Sequence, residues 1–188
     1  MTNPNVPQFP FGNDGWTTKD RATASCFCSA VQLSFPIEGE DLVATFVCHC
    51  TDERKNTASM FGNAYSLPPK PASNFIVNDS ALKHERGEEK LSKFAQSFTI
   101  ESGRTMENSF CSNCGTLMYR RSSGFPGKSI LRIGTVDDFH LHETKLKPQI
   151  EQFTKDRVAW LEPAKDIAQD SGNYFDPRKI EMGGDGVY

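Results

Sequence analysis

The chain has 188 residues and 37% hydrophobic content, the size of one ordinary domain with a core of modest extent. Its 21 basic residues nearly balance 24 acidic ones, for a net charge of -3, and no Lys/Arg run provides the electrostatic footprint of a nucleic-acid partner. No stretch approaches the roughly 18 apolar residues of a membrane span, and the opening MTNPNVPQFPFGNDGW has neither the charged nor the apolar region of a secretory signal, so a soluble, cytoplasmic protein is the expectation.

Residues 1–21, rich in Pro, Asn, Gly and Thr, read as an extended arm pinned by Phe9, Phe11 and Trp16. FCSAVQLSF (27–35) alternates, with Val31, Leu33 and Phe35 on one side, as a half-buried strand does. LVATFVC (42–48) is a second strand, ERKNTASM (53–60) a short helix, and GNAYSLPPKPAS (62–73), with three prolines and a glycine, a loop. NFIV (74–77), LSKFAQSFTI (91–100), ENSFC (107–111), TLMYRR (116–121) and SILRIGT (129–135) are strand-like, with turn signals between them. QIEQFTKDRVAWL (149–161) is expected to hold a helical turn, and residues 162–188 to form an irregular tail. The sum is an all-β domain of small antiparallel sheets with few short helices, over 22–161.

The six cysteines form three close pairs: Cys26 and Cys28, Cys48 and Cys50, Cys111 and Cys114. In a reducing compartment such pairs read as metal ligands rather than disulfides, each pair giving two thiolates to one ion. Cys111-Ser-Asn-Cys114-Gly115 is a turn whose sulfurs face one point, and its glycine tolerates the closing conformation. Cys26 and Cys28 at the head of a strand share a face. Two pairs make a closed four-thiolate site, for which zinc is the expected occupant and an iron centre the other reading. Spacing does not say which pairs combine. The remaining pair needs a third ligand to make a useful zinc site, and Glu53 stands one helical turn after Cys50.

The pattern CFC (26–28), CHCTDE (48–53) and CSNCGT (111–116) resembles the glutathione-dependent formaldehyde-activating enzymes, whose pattern is CxC, CHCxxC and CxxCG. The resemblance extends through SMF (59–61), FIV (75–77), SGRTM (102–106), LMYRRSSGFPG (117–127) and RIGTVDDF (132–139), and is greatest to versions from filamentous fungi. It implies the Mss4-like zinc fold, with a structural zinc on Cys26, Cys28, Cys111 and Cys114. A second, catalytic zinc would fall on Cys48, Cys50 and the position of Glu53. It also implies a lyase-type reaction that makes or breaks a carbon–sulfur bond between formaldehyde and glutathione as co-substrate.

Two departures bear on function. Glu53 replaces the third cysteine of that pattern. As a zinc ligand it keeps the site's charge at that of three thiolates with a harder donor; as a free carboxylate it is a general acid or base; it can also be a plain surface glutamate. The Pro-stiffened stretch around YSLPPKP is longer than in the fungal relatives. It either reshapes the pocket or is a tolerated insertion. Together they leave open a tailoring enzyme of fungal secondary metabolism, with Glu53 as acid/base on a larger apolar carbonyl compound. A non-catalytic zinc module is the reading outside enzymes. Among weaker candidates, Arg54 and Lys55 either bind an anionic substrate group or form a solvated helix face. Phe61 and Phe98 line an apolar pocket or pack the core. His49 reads as structural more than catalytic, and His84, His140 and His142 as surface residues.

Overall fold

A computed structural model describes residues 12–59 and 73–176. Their strands build two sheets. The smaller joins β1 (Arg21–Ser25), β2 (Gln32–Pro36) and β5 (Lys83–Arg86). The larger has eight strands. Two come before the chain midpoint, β3 (Leu42–Cys48) and β4 (Asn74–Asn78). β6 (Leu91–Gln96), β7 (Met106–Cys111), β8 (Leu117–Ser122) and β9 (Lys128–Arg132) follow, and β10 (Ile150–Gln152) and β11 (Ala168–Gln169) complete it. Their order across the sheet is β11-β10-β3-β4-β9-β8-β7-β6. Neighbours are antiparallel except β10, which lies parallel to both β3 and β11. Two short helices, α1 (Thr51–Thr57) and α2 (His140–Glu143), complete an all-β, Mss4-like architecture. Among the described residues no helix is long and apolar enough to cross a membrane.

The strand-like runs expected at 42–48, 74–77, 107–111 and 116–121 are present with small shifts at their ends. The first region differs. Residues 27–35 are not one strand: β1 precedes the first cysteine pair, Cys26 to Ser29 form a turn, and β2 begins at Gln32. Every residue of β2 is buried, and Ala22 and Ala24 of β1 are fully buried beside it. Leu33 and Phe35 alternate with Gln32 and Ser34 as expected, but both sets are buried, so the strand is not half-buried, and the small residues of RATAS leave little periodic signal.

The eight-stranded sheet separates two apolar clusters. One face carries Phe75, Val77, Tyr119 and Leu131, which pack with Leu33, Phe35 and Ala24 of the small sheet into the main core. The other face carries Ala44, Phe46, Cys48 and Ile76, joined by Ile150 and Phe175. Phe175 lies edge-on to Phe46, with ring centroids 5.5 Å apart. The tail after 161, read from the sequence as irregular, therefore contributes β11 and an aromatic plug to the second cluster. Two residues of strand are too short to show a period. The 149–161 segment holds β10 and only a 3-10 turn at Thr154–Asp156. At the other end, the arm is tied down by the Trp16 N–H, which donates to Thr23 Oγ1 at 2.9 Å. Phe9 and Phe11 lie outside the described residues.

Candidate functional site

Two hairpin turns bring four cysteines together. Cys26 and Cys28 sit in the turn between β1 and β2, where Ser29 N–H bonds the Cys26 carbonyl at 2.8 Å and the Val31 N–H points at Cys26 Sγ at 3.2 Å. Cys111 ends β7 and Cys114 lies in the turn to β8. Gly115 there takes φ 75°, a left-handed conformation that costs a residue without Cβ little. Sγ atoms of Cys26 and Cys28 are 3.6 Å apart, and those of Cys28 and Cys111 3.9 Å. All four lie within 4.8 Å of one another. A tetrahedral zinc with sulfurs at about 2.3 Å requires edges of about 3.8 Å, so the donor set and its spacing fit a closed four-thiolate ion. Asn113 Nδ2 donates to Cys28 Sγ at 3.2 Å, the kind of donor that steadies a ligating thiolate. The pairing that spacing left open is thus 26/28 with 111/114, reached through two turns rather than a strand face.

The second cysteine pair lies on the other side of the large sheet. Register places Phe46 opposite Asn74, Asn74 opposite Arg132, and Ile130 opposite Arg120. With alternation along each strand, Cys48, Asn74, Arg132 and Arg120 share one face across β3, β4, β9 and β8. Helix α1 lies over that face. Its N-cap is Cys50, whose sulfur accepts the Glu53 N–H at 3.3 Å. Asp52 Oδ2 accepts from Thr99 Oγ1 at 2.7 Å, and Asn56 Oδ1 from Asn108 Nδ2 at 3.2 Å, which hold the helix against β6 and β7.

This docking turns Glu53 inward, where it is 1% exposed. Oε1 accepts from Arg132 Nη1 and, at 3.1 Å, from Asn74 Nδ2; Oε2 accepts from Arg120 Nη1 at 3.4 Å. Arg132 Nη1 also donates to Asn74 Oδ1 at 2.5 Å. Both guanidiniums are buried, so one carboxylate faces two permanent positive charges in a desolvated place. Burial and the like charge of Arg132 push the Arg120 guanidinium down from its ordinary value. Glu53 is therefore no surface residue, and its two oxygens are engaged by guanidiniums.

Cys48 and Cys50 have their sulfurs 3.4 Å apart, with Cys48 donating. That bond and burial push the Cys48 thiol well up, while the same bond pulls the Cys50 thiol down against the opposing effect of burial. The Glu53 amide and the Arg120 charge add to the lowering at Cys50. The two sulfurs thus form one hydrogen-bonded pair. Among the described residues the four-cysteine cluster is the one group of three or more ligand-type side chains that can hold an ion. Cys48, Cys50 and Glu53 do not converge on one point, and segment 60–72 contains no Cys, His, Asp or Glu. The second set does not fit a three-ligand zinc in this arrangement.

His49 points to the opposite face of β3, as alternation requires, and is fully buried with Nε2 2.7 Å from Glu151 Oε1. Glu151 also accepts from Arg157 Nη1 at 3.1 Å and the Ala164 N–H at 2.8 Å. Burial pushes the Glu151 carboxyl up, but the His49, Ala164 and Arg157 bonds outweigh it and hold it at about 2. Arg54 extends its guanidinium to the Asp156 carbonyl, which ties α1 to the turn after β10; Lys55 is exposed. Phe98 is 84% exposed on the turn after β6, and Phe61 lies outside the described residues, as does nearly all of the 62–73 stretch. His140 is exposed, whereas His84 and His142 are half-buried, and burial lowers both. Sequence reasoning missed Arg120, Arg132, Asn74 and Glu151. A usable signal existed at Arg132, which follows Ile130 at the strand period and so shares the face of an apolar residue.

The sequence model of the glutathione-dependent formaldehyde-activating enzymes matches residues 21–156, and the chain belongs to that family. No curated protein matches it. Among solved structures, a protein from Rhodobacter sphaeroides aligns at a TM-score of 0.41 and 12% identity, over 79% of this chain and 98% of that one.

Proposed function

We propose that this chain is an enzyme that forms or cleaves a carbon–sulfur bond between a thiol and a carbonyl compound at the Cys48–Cys50 site. The observation that carries the reading is the placement of two sulfurs 3.4 Å apart beside a buried guanidinium pair, on the scaffold of a family named for glutathione-dependent formaldehyde activation. Cys26, Cys28, Cys111 and Cys114 would hold a zinc that supplies a cross-link between the two hairpins and stays outside the reaction. In the forming direction, a thiolate lone pair adds to the carbonyl carbon. The C=O electron pair moves to oxygen, and that oxygen takes up the proton that the thiol gave up on becoming a thiolate; cleavage is the reverse. Positive charge fixed at Arg120 and Arg132 favours both the thiolate and the developing alkoxide. Glu53, held by both arginines and Asn74, positions these charges rather than moving a proton. Glutathione is the thiol the family name supplies. The carbonyl partner is formaldehyde or a larger apolar aldehyde.

The test follows hemithioacetal formation by carbon-13 NMR, with labelled formaldehyde or a longer aldehyde, with and without glutathione. Acceleration over buffer for at least one pair, lost in Cys50→Ser with its circular dichroism retained, is expected. No acceleration for any pair would remove the enzymatic reading and favour a non-catalytic zinc module.

A further inference from the structure

The family's second zinc, as implied by the resemblance, requires three ligand side chains around one ion. Here the side chain at the third position is committed elsewhere, and three observations bear on why. Glu53 is 1% exposed and both of its oxygens accept from guanidinium groups. Those guanidiniums, Arg120 and Arg132, are themselves 6% and 5% exposed, so their charge is not screened by water. The cluster also has more donors than acceptors: among the described residues, Arg120 Nε and Arg132 Nε and Nη2 are buried without a hydrogen-bond partner.

Geometry then decides between two occupants. A zinc(II) ion on Cys48 and Cys50 needs Glu53 as its third ligand, and it places a dication against two buried guanidiniums that already hold that carboxylate. Removing Glu53 from the arginines to ligate the ion would leave both of them buried without a counter-ion. Without the ion, the arginines already provide the positive charge that a second metal would bring. Segment 60–72, next in the chain after α1, contains no residue able to replace Glu53 as a ligand.

We infer that Arg120 and Arg132 stand in for the second zinc, so that the chain holds a single tightly bound zinc and Cys48 and Cys50 form a metal-free dithiol beside a guanidinium pair. This goes beyond the reaction proposed above, and its test does not depend on that reaction. Zinc per chain is measured by elemental analysis on the full chain, as purified without added metal and again after incubation with excess zinc and desalting, for wild type, Cys50→Ser and Cys111→Ser. One zinc in wild type before and after loading, unchanged in Cys50→Ser and lost or weakened in Cys111→Ser, is expected. Two zincs in wild type, one of them lost in Cys50→Ser, would overturn the inference. Cobalt(II) substitution of wild-type protein gives a readout that needs no variant. A tetrathiolate spectrum saturating at one equivalent is expected, and saturation at two equivalents overturns the inference. An inactive protein with one zinc removes the proposed reaction and leaves this inference standing; an active protein with two zincs does the reverse.

Discussion

Replacing Glu53 by Gln removes one negative charge and nearly nothing else. Gln keeps a carbonyl oxygen for Asn74 or Arg132, keeps the volume, and leaves α1 its backbone bonds. What changes is that Arg120 and Arg132, 6% and 5% exposed, lose their shared counter-ion. Breaking a buried pair by removing one partner costs about 3–5 kcal/mol, because the remaining charge is desolvated and uncompensated. Two arginines depend on this one carboxylate, so the upper part of that range applies. Against a domain stability of about 5–15 kcal/mol this is a large fraction. At about 2–4 °C per kcal/mol for a chain of this length, the thermal midpoint should fall by about 8–20 °C. The assay is urea unfolding followed by circular dichroism, with zinc held constant, for wild type, Glu53→Gln, Arg132→Met and the double variant. The double-mutant cycle should give a coupling of about 1–3 kcal/mol, since Arg132→Met is less harmful once its partner is gone. A loss below about 1 kcal/mol in Glu53→Gln, with no coupling to Arg132, would refute the argument. It would mean that the carboxylate is solvated or bound to something other than the arginines.

The remaining predictions concern the two stapled regions and the opposite face. Glu151 titrates at about 2 in the folded protein against 4.5 for the free group, so its contribution is present above pH 4.5 and is lost as the pH falls from there toward 2. Thermal midpoints between pH 5 and pH 3 should drop more steeply in wild type than in Glu151→Gln; equal slopes would remove the His49–Glu151 pair from the account. Phe175→Ala opens a cavity against Phe46 and Phe125 and should cost about 3–5 kcal/mol in urea unfolding, where an irregular solvated tail would give almost nothing. Treating the protein with a strong metal chelator, or substituting Cys111→Ser, should release the β1–β2 turn from the β7–β8 turn and abolish cooperative unfolding; retention of a sharp transition would show that a metal on the four sulfurs is not the staple.

Local pattern carried a good part of this structure. Strands β3 and β4 were legible as short apolar runs rich in β-branched residues, and β7 and β8 as short runs with aromatic or apolar residues set off by turn signals; such signals need no knowledge of partners. The four-thiolate site was half legible. CxC and CxxCG announce ligand pairs through their own geometry, but which pair meets which depends on two hairpins, 83 residues apart at Cys28 and Cys111, being brought edge to edge. β1 and β11 were hidden, the first by full burial of small residues and the second by its two-residue length.

Glu53 is the position where sequence alone stopped. Its spacing from Cys50 put it on the first turn of a helix, and that much is a local property of the chain. Whether it ligates a metal, moves a proton or faces solvent depends on its surroundings. These come from Asn74, Arg120 and Arg132, at sequence separations of 21, 67 and 79 residues on three different strands. Charge state and chemical role in a buried site are set by the total field of non-local neighbours and by the loss of water around them. No local motif encodes that field; it exists only once the sheet has formed and α1 has docked across it.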